Sequence, residues 1–252
     1  MSSVTLVTGG GRGIGAATVR QLVAAGHDVA LCYRSDAGAA EAVLREVHAT
    51  GRRGIAVRAD TTDPDQVVRL FDAAGELGEL TGLVNNAGVT SPIGPFVELT
   101  VADLRRVIDV NLIGYVLCAQ QAARRFGHGG AIVNVSSAAA TLGSPGEYVH
   151  YAAAKAATDT LTVGLAKELA PRGIRVNAVS PGIIWTDLHA PRTGFRWGAP
   201  AGPTRSPPPS SGCSATVPRT PPARCCGWPA VSDAQVRVNR QPGVSDSDES
   251  QR

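Results

Sequence analysis

A chain of 252 residues with 43% hydrophobic residues can bury the core of one ordinary α/β domain. Its formal net charge of +3, without any run of basic residues, speaks against a nucleic-acid surface. No stretch reaches the ~18 apolar residues that span a bilayer, and Met1–Leu6 lacks the charged start and apolar run of a leader peptide. The expectation is a soluble, cytoplasmic protein with a small-molecule partner. Of its 24 basic residues only Lys155 and Lys167 are lysines, so both positions merit placing. Cys32 and Cys118 fall in apolar segments and read as small core residues. Cys213, Cys225 and Cys226 show no metal-ligand spacing, and no metal is expected.

From Val4 to Val179 short β-branched runs alternate with longer helical patterns. Val4–Thr8 reads as a strand and Gly13–Ala25 as a helix stopped by Gly26. Asp28–Tyr33 is a second strand, followed by a helix over Gly38–Thr50 that stops at Gly51. Ile55–Arg58 is a third strand. Asp63-Pro64 supplies an N-cap and a first-turn proline for a helix through Ala74. Leu83–Asn85, Ala131–Val135 and Arg175–Val179 are further strands, with helices over Val101–Arg125 and Tyr151–Leu169 between them. This alternation implies a parallel sheet, because parallel neighbours need a crossover and a helix is the usual one. Apolar runs such as Ala131-Ile132-Val133 fit strands covered on both faces. The fold class is α/β: a single-domain, Rossmann-type doubly wound parallel sheet.

Beyond Leu188 the composition changes. Residues 190–252 hold eleven of the seventeen prolines and neither leucine nor isoleucine. Such a segment buries too little apolar area to offset its ordering entropy. The expected organisation is therefore a domain over 1–189 and an irregular, Pro/Arg/Ser-rich tail over 190–252.

Thr8-Gly9-Gly10-Gly11-Arg12-Gly13-Ile14-Gly15 links the first strand to the first helix. Glycine at 9 and 13 permits a tight turn close to a pyrophosphate, and Gly15 permits close helix–strand packing. The helix N-terminus, opened by Ile14 and its neighbours, then faces the phosphates. At the end of the second strand, Arg34 stands where an acidic residue would hold the ribose of NAD. Arg34, with Arg12 beside it, suits the 2′-phosphate of NADP(H), the preferred cofactor. Asp36 keeps NAD(H) possible.

Tyr151 and Lys155 are four apart at the start of a predicted helix and share a face. A free phenol titrates near 10, and a neighbouring ammonium lowers that value. The pair is thus a candidate for proton transfer. Tyr148 has no lysine four residues on and reads as a wall or loop residue. His150 reads as a solvent-facing residue at the helix start.

These pieces together resemble the short-chain dehydrogenase/reductase family, in its compact single-domain, ketoacyl-reductase and glucose-dehydrogenase-like branch. The resemblance rests on Thr8–Gly15, Asp60, Asn85-Asn86-Ala87-Gly88, Asn111, Ser136-Ser137, Tyr151 to Lys155, and Pro181-Gly182, and covers Val4–Leu188. It implies an NADP(H)-dependent oxidoreductase interconverting an alcohol and a ketone or aldehyde. By that resemblance Ser137 binds the substrate oxygen, Tyr151 moves its proton, and Lys155 tunes the tyrosine and holds the nicotinamide ribose. Asn111 anchors a proton relay. Asp60 meets adenine, Asn86, Ala87 and Gly88 line the cleft, and Pro181, Gly182, Ile184 and Thr186 approach the nicotinamide. Ser136 is the rival to Ser137; the loop Gly143–Glu147 absorbs the one-residue difference in spacing and favours Ser137. Trp185 and Leu188 would line the substrate mouth.

The family pattern continues beyond Thr186 with helices and a last strand, where this chain has Pro207-Pro208-Pro209 and Pro221-Pro222. A reading-frame shift is the expected explanation. Codons for Ala223 to Ala230, read two bases later, permit Ala-Val-Leu-Trp-Leu-Ala-Ser, an amphipathic helix sequence. Family members assemble as homo-oligomers through those late elements, so assembly is in question here. The alternative function is a nucleotide-binding but catalytically impaired protein; the intact Ser137, Tyr151 and Lys155 argue against long-standing decay. A nucleotide-sugar epimerase would carry a longer substrate domain.

Overall fold

The computed structural model describes residues 3–127 and 129–182. Ile184, Trp185, Thr186, Leu188 and the whole 190–252 segment, with the reading-frame question attached to it, lie outside the described residues.

Among the described residues six strands carry the fold: β1 (Ser3–Thr8), β2 (Asp28–Tyr33), β3 (Gly54–Arg58), β4 (Glu79–Asn85), β5 (Gly130–Val135) and β6 (Ile174–Val179). They form one sheet in the order β3-β2-β1-β4-β5-β6, and every neighbouring pair is parallel. The helices are α1 (Gly13–Ala24), α2 (Ala37–Ala49), α3 (Pro64–Leu77), α4 (Val101–Ile108), α5 (Gly114–Arg125), the short α6 (Ala139–Leu142) and α7 (Val149–Leu169). Three of them start on side-chain caps. Asp36 accepts from Ala39 N, Asp63 from Asp65 N and Gln66 N, and Thr100 from Asp103 N. Gly26 and Gly51 follow α1 and α2 with φ of +94° and +77°, the left-handed region that ends a helix without a Cβ clash.

Side-chain alternation along the strands divides the interior into two cores. Val4 and Leu6 of β1 join Leu70 and Phe71 of α3, Cys118 of α5 and Ile132 of β5 on one face. Val7 of β1 joins Val19 of α1, Val43 of α2 and Leu31 of β2 on the other. Full burial of each such side chain stabilises the fold by ~1.5–3 kcal/mol. The sheet is therefore doubly wound, with the chain reversing its direction of travel at the β1–β4 boundary. That reversal opens a crevice at the carboxyl ends of the strands, the place where such sheets take ligands.

Beyond shifts of one to three residues at element ends, two features depart from the expectation. β4 begins four residues before Leu83, and its pairing with β1 shifts register between Val4 and Thr5. The helix expected over Val101–Arg125 is interrupted by a π-helical turn, Asp109–Ile113, joining α4 to α5. Such turns insert one extra residue into the helical ladder and recur at functional sites. Here the turn carries Asn111.

Candidate active site

At the end of β1 the glycine loop is built around contacts that leave no space for side chains. Gly9 has a φ of +65° and lies against Ala87, where a Cβ would stand 3.1 Å from its Cα. A Cβ on Gly15 would sit 2.2 Å from the Gly9 carbonyl oxygen and 2.6 Å from Asn86 Nδ2. Asn86 stitches the end of β4 to this loop, its Nδ2 donating to the carbonyls of Thr8 (2.9 Å) and Gly9 (3.1 Å). Thr8 answers from the other side: its hydroxyl accepts from the main-chain N–H groups of Asn86 and Ala87 at 2.9 and 3.0 Å. Thr8 was overlooked as a functional position, although it immediately precedes the glycines.

Helix α1 starts at Gly13 with Arg12 as its N-cap residue in extended conformation, without a side-chain cap and without an acidic residue in its first turn. Its N-terminal N–H groups and positive dipole end are left to face the crevice. Arg12, Arg34, Asp36, Asp60 and Gly88 line one pocket along that crevice. Arg34 follows β2 and is more than half exposed, with its nearest carboxylate, Asp60, at 4.0 Å. Asp60 is held in place, Oδ1 accepting from Thr62 N and Thr62 Oγ1. Asp36 spends its carboxylate on the N-cap of α2. Arg106, from α4, lines the same pocket and was not singled out in the sequence.

The second cluster gathers at the ends of β5 and β6. Tyr151 and Lys155 lie in the first two turns of α7, and both are buried. Burial raises the Tyr151 phenol above its ordinary value, opposed by a hydrogen bond with Ser137. Burial also pulls the Lys155 ammonium down to about 7, opposed by Asp159. The expectation that the lysine would lower the tyrosine is thus corrected for this structure. Desolvation of the phenol dominates, and the lysine sits 5.8 Å from the centre of the tyrosine ring. Of the two serines, Ser136 turns inward, its hydroxyl donating to the Lys155 carbonyl at 3.3 Å. The Ser137 hydroxyl is the one beside Tyr151, and it also accepts from Ala139 N. Tyr148 packs edge-on against Tyr151 with ring centres 5.4 Å apart.

Asn111 is fully buried, its Nδ2 donating to the carbonyls of Val89 (2.8 Å) and Val107 (2.9 Å). Its Oδ1 has no hydrogen-bond partner among the described residues, and a Cβ on Gly88 would come within 3.0 Å of it. A buried polar chain then fixes α7 to the sheet. Thr158 donates to the Asn111 carbonyl, Thr162 to the Thr158 carbonyl, Asn134 to Thr162, and Asn85 to Asn134. This polar chain ties α7 to the sheet, although the Oδ1 atoms of Asn85 and Asn111 in it have no hydrogen-bond partner among the described residues.

His150 contradicts the solvent-facing expectation. It is 7% exposed, and its Nε2 lies 2.7 Å from Ser91 Oγ in the loop after β4. That loop folds back over the start of α7, as Gly94 N also shows by donating to the Glu147 carbonyl. Pro181 and Gly182 follow β6 beside the serines, with Ala138 N donating to the Pro181 carbonyl at 2.9 Å.

The sequence pattern described as short chain dehydrogenase matches residues 3–196. The chain belongs to the short chain dehydrogenase family. This dehydrogenase is 47% identical over 194 residues to the uncharacterized oxidoreductase YgfF of Escherichia coli (strain K12), covering 75% of this chain and 78% of that one. It is 40% identical over 190 residues to a 3-oxoacyl-[acyl-carrier-protein] reductase of Synechocystis, covering 74% and 76% respectively. A short chain dehydrogenase from Burkholderia cenocepacia, solved in complex with NADP, is 44% identical and superposes with a TM-score of 0.71 over 74% of this chain and 76% of its own. The matched residues 3–196 include the glycine loop and the Tyr151–Lys155 helix. No helix among the described residues is long and apolar enough to cross a membrane.

Proposed function

We propose that this oxidoreductase reduces a ketone or aldehyde to an alcohol with NADPH, and runs the reverse reaction at higher pH. The observation that carries this is the placement of the Ser137 hydroxyl against the Tyr151 phenol, one turn from buried Lys155. NADPH fits the residues present. Gly9, Gly10 and Gly15 leave no room for a Cβ, the α1 N-terminus has no side-chain cap, and Arg12 and Arg34 line the crevice beyond β2. The complex of the Burkholderia relative with NADP supports the same choice. Arg34 would hold the 2′-phosphate; Asp36 is engaged at α2, which favours NADP(H) while leaving NAD(H) usable. Gly9, Gly13, Ile14 and Gly15 would cradle the pyrophosphate, Asp60 the adenine, and Asn86, Ala87 and Gly88 the middle of the cofactor. Pro181 and Gly182, with Ile184 and Thr186 beyond the described residues, would border the nicotinamide.

When bound, the cofactor supplies the hydride. The protein supplies position and a proton. Ser137 donates a hydrogen bond to the carbonyl oxygen and holds it beside Tyr151. The raised Tyr151 phenol is protonated near neutrality and gives its proton to that oxygen as negative charge develops there. Lys155, when charged, stabilises the phenolate left behind. Asn111, whose buried Oδ1 lies beside Gly88 and has no hydrogen-bond partner among the described residues, would serve the path by which Tyr151 is reprotonated.

We assign this machinery to a domain over residues 1–189 and read 190–252 as a segment translated out of frame; the coding DNA, read in its other two frames, tests that assignment. The function is tested by incubating the chain with a panel of ketones and aldehydes and either NADPH or NADH. Carbonyl-dependent consumption of NADPH supports the reading. Saturable NADPH binding with no turnover on any carbonyl would leave the impaired, nucleotide-binding alternative.

A further inference from the structure

Behind Lys155 stands a second phenol that the proposed reaction does not use. Tyr115 is the second residue of α5, close after the π-helical turn, and is 1% exposed. Its hydroxyl donates to the Val135 carbonyl at 3.1 Å, which leaves its lone pairs for a donor. Lys155 Nζ is that donor, at 3.1 Å. The same Nζ donates to the Val135 carbonyl at 2.7 Å and lies 4.6 Å from the centre of the Tyr115 ring. Tyr115, Val135 and Lys155 thus close a three-membered hydrogen-bonded ring at the end of β5. An ammonium has three protons, and two of these are committed to the inner wall.

We propose that Tyr115 is a positioning residue for Lys155: its hydroxyl and ring hold the ammonium in one orientation, so that the third N–H faces the cleft and the side of Tyr151. The inference rests on the proton-transfer role proposed above for Tyr151 and Lys155. The titratable groups around Lys155 among the described residues are Tyr115 from α5, and Tyr151 and Asp159 from its own helix. Burial holds the Tyr115 phenol well above its ordinary value, so it stays a neutral hydroxyl. A neutral oxygen that accepts from the ammonium favours the charged lysine in a site whose burial disfavours it. Removing that oxygen removes the orientation and lowers the charge together.

The chain is suited to a direct test because Lys155 and Lys167 are its only lysines, and Lys167 lies exposed on α7. With 13Cε-labelled lysine, the native protein should show two resonances that titrate separately. Tyr115→Phe keeps the ring and deletes one oxygen. Its Lys155 midpoint should fall by roughly one pH unit while that of Lys167 stays in place. An unchanged Lys155 midpoint overturns the proposal. Should Tyr115→Phe fail to fold, 15N-lysine spectra of the native protein decide instead: Lys155 ammonium protons should resist exchange and those of Lys167 should not. Equal exchange at both overturns it. The lysine titration is read without substrate, so a native protein lacking carbonyl turnover would defeat the proposed function and leave this measurement standing.

Discussion

His150 Nε2 lies 2.7 Å from Ser91 Oγ, and through this contact the loop after β4 is fastened to the helix that carries Tyr151 and Lys155. The Ser91 hydroxyl also reaches the Pro92 carbonyl at 3.2 Å. Burial lowers the His150 pKa below its ordinary 6.5, with Asp103 opposing.

A histidine whose folded pKa is depressed binds fewer protons folded than unfolded. Stability therefore rises with pH across this group, and is lost as pH falls below about 6.5. Thermal midpoints of the native protein should decline from pH 7 to pH 5, and His150→Gln should flatten that decline. Ser91→Ala should destabilise by ~1–3 kcal/mol by leaving the buried imidazole nitrogen without this partner. An identical pH slope in native and His150→Gln would contradict the assignment.

Lys155 obeys the same sign over a different window. Its pKa falls from 10.5 to about 7 on folding, so its share of the stability rises from about pH 7 to 10.5. Lys155→Met should raise the thermal midpoint at pH 7 by a few degrees, on the order of 1 kcal/mol or more, while lowering turnover sharply. A variant that is both inactive and less stable would show that the ammonium is better satisfied than its burial implies.

Arg34→Ala should weaken NADPH binding by about 10–100-fold, as expected for losing one charge-assisted hydrogen bond, and leave NADH binding within about twofold. Titrations with the two cofactors read both effects. Equal losses for both would move the 2′-phosphate contact elsewhere, with Arg12 the next candidate.

Two glycines predict opposite outcomes. Gly15→Ala places a methyl 2.2 Å from the Gly9 carbonyl oxygen, and should destabilise the fold and abolish cofactor binding. Gly75, inside α3, has nothing within 4 Å of its missing Cβ, and Gly75→Ala should stabilise by ~1 kcal/mol. Chemical denaturation of both variants checks the pair.

Periodicity and punctuation made most of the fold legible. Asp63-Pro64 marked the start of α3, and Gly26 and Gly51 marked the ends of α1 and α2. The π-helical turn at Asp109–Ile113 was not legible, because nothing in the local pattern separates it from a continuous helix; it depends on how Asn111 meets Val89 and Thr158. The four-residue spacing put Tyr151 and Lys155 on one face of a helix, and their roles were read from the resemblance. Choosing Ser137 over Ser136 was argued from loop length, and the geometry adds a reason: Ser136 is tied to the Lys155 carbonyl. His150 and Tyr115 escaped for one reason. Their burial is set by segments 59 and 20 residues away, Ser91 and Val135, and no local signal carries it.

The most direct test of the account is to compare native protein and Tyr151→Phe for NADPH binding and for carbonyl-dependent NADPH consumption at neutral pH. The account predicts that the phenylalanine variant binds NADPH with nearly native affinity and loses turnover by about 10²–10⁴-fold, the range for removing a positioned general acid. Turnover retained within a few fold would contradict it and move proton donation away from Tyr151.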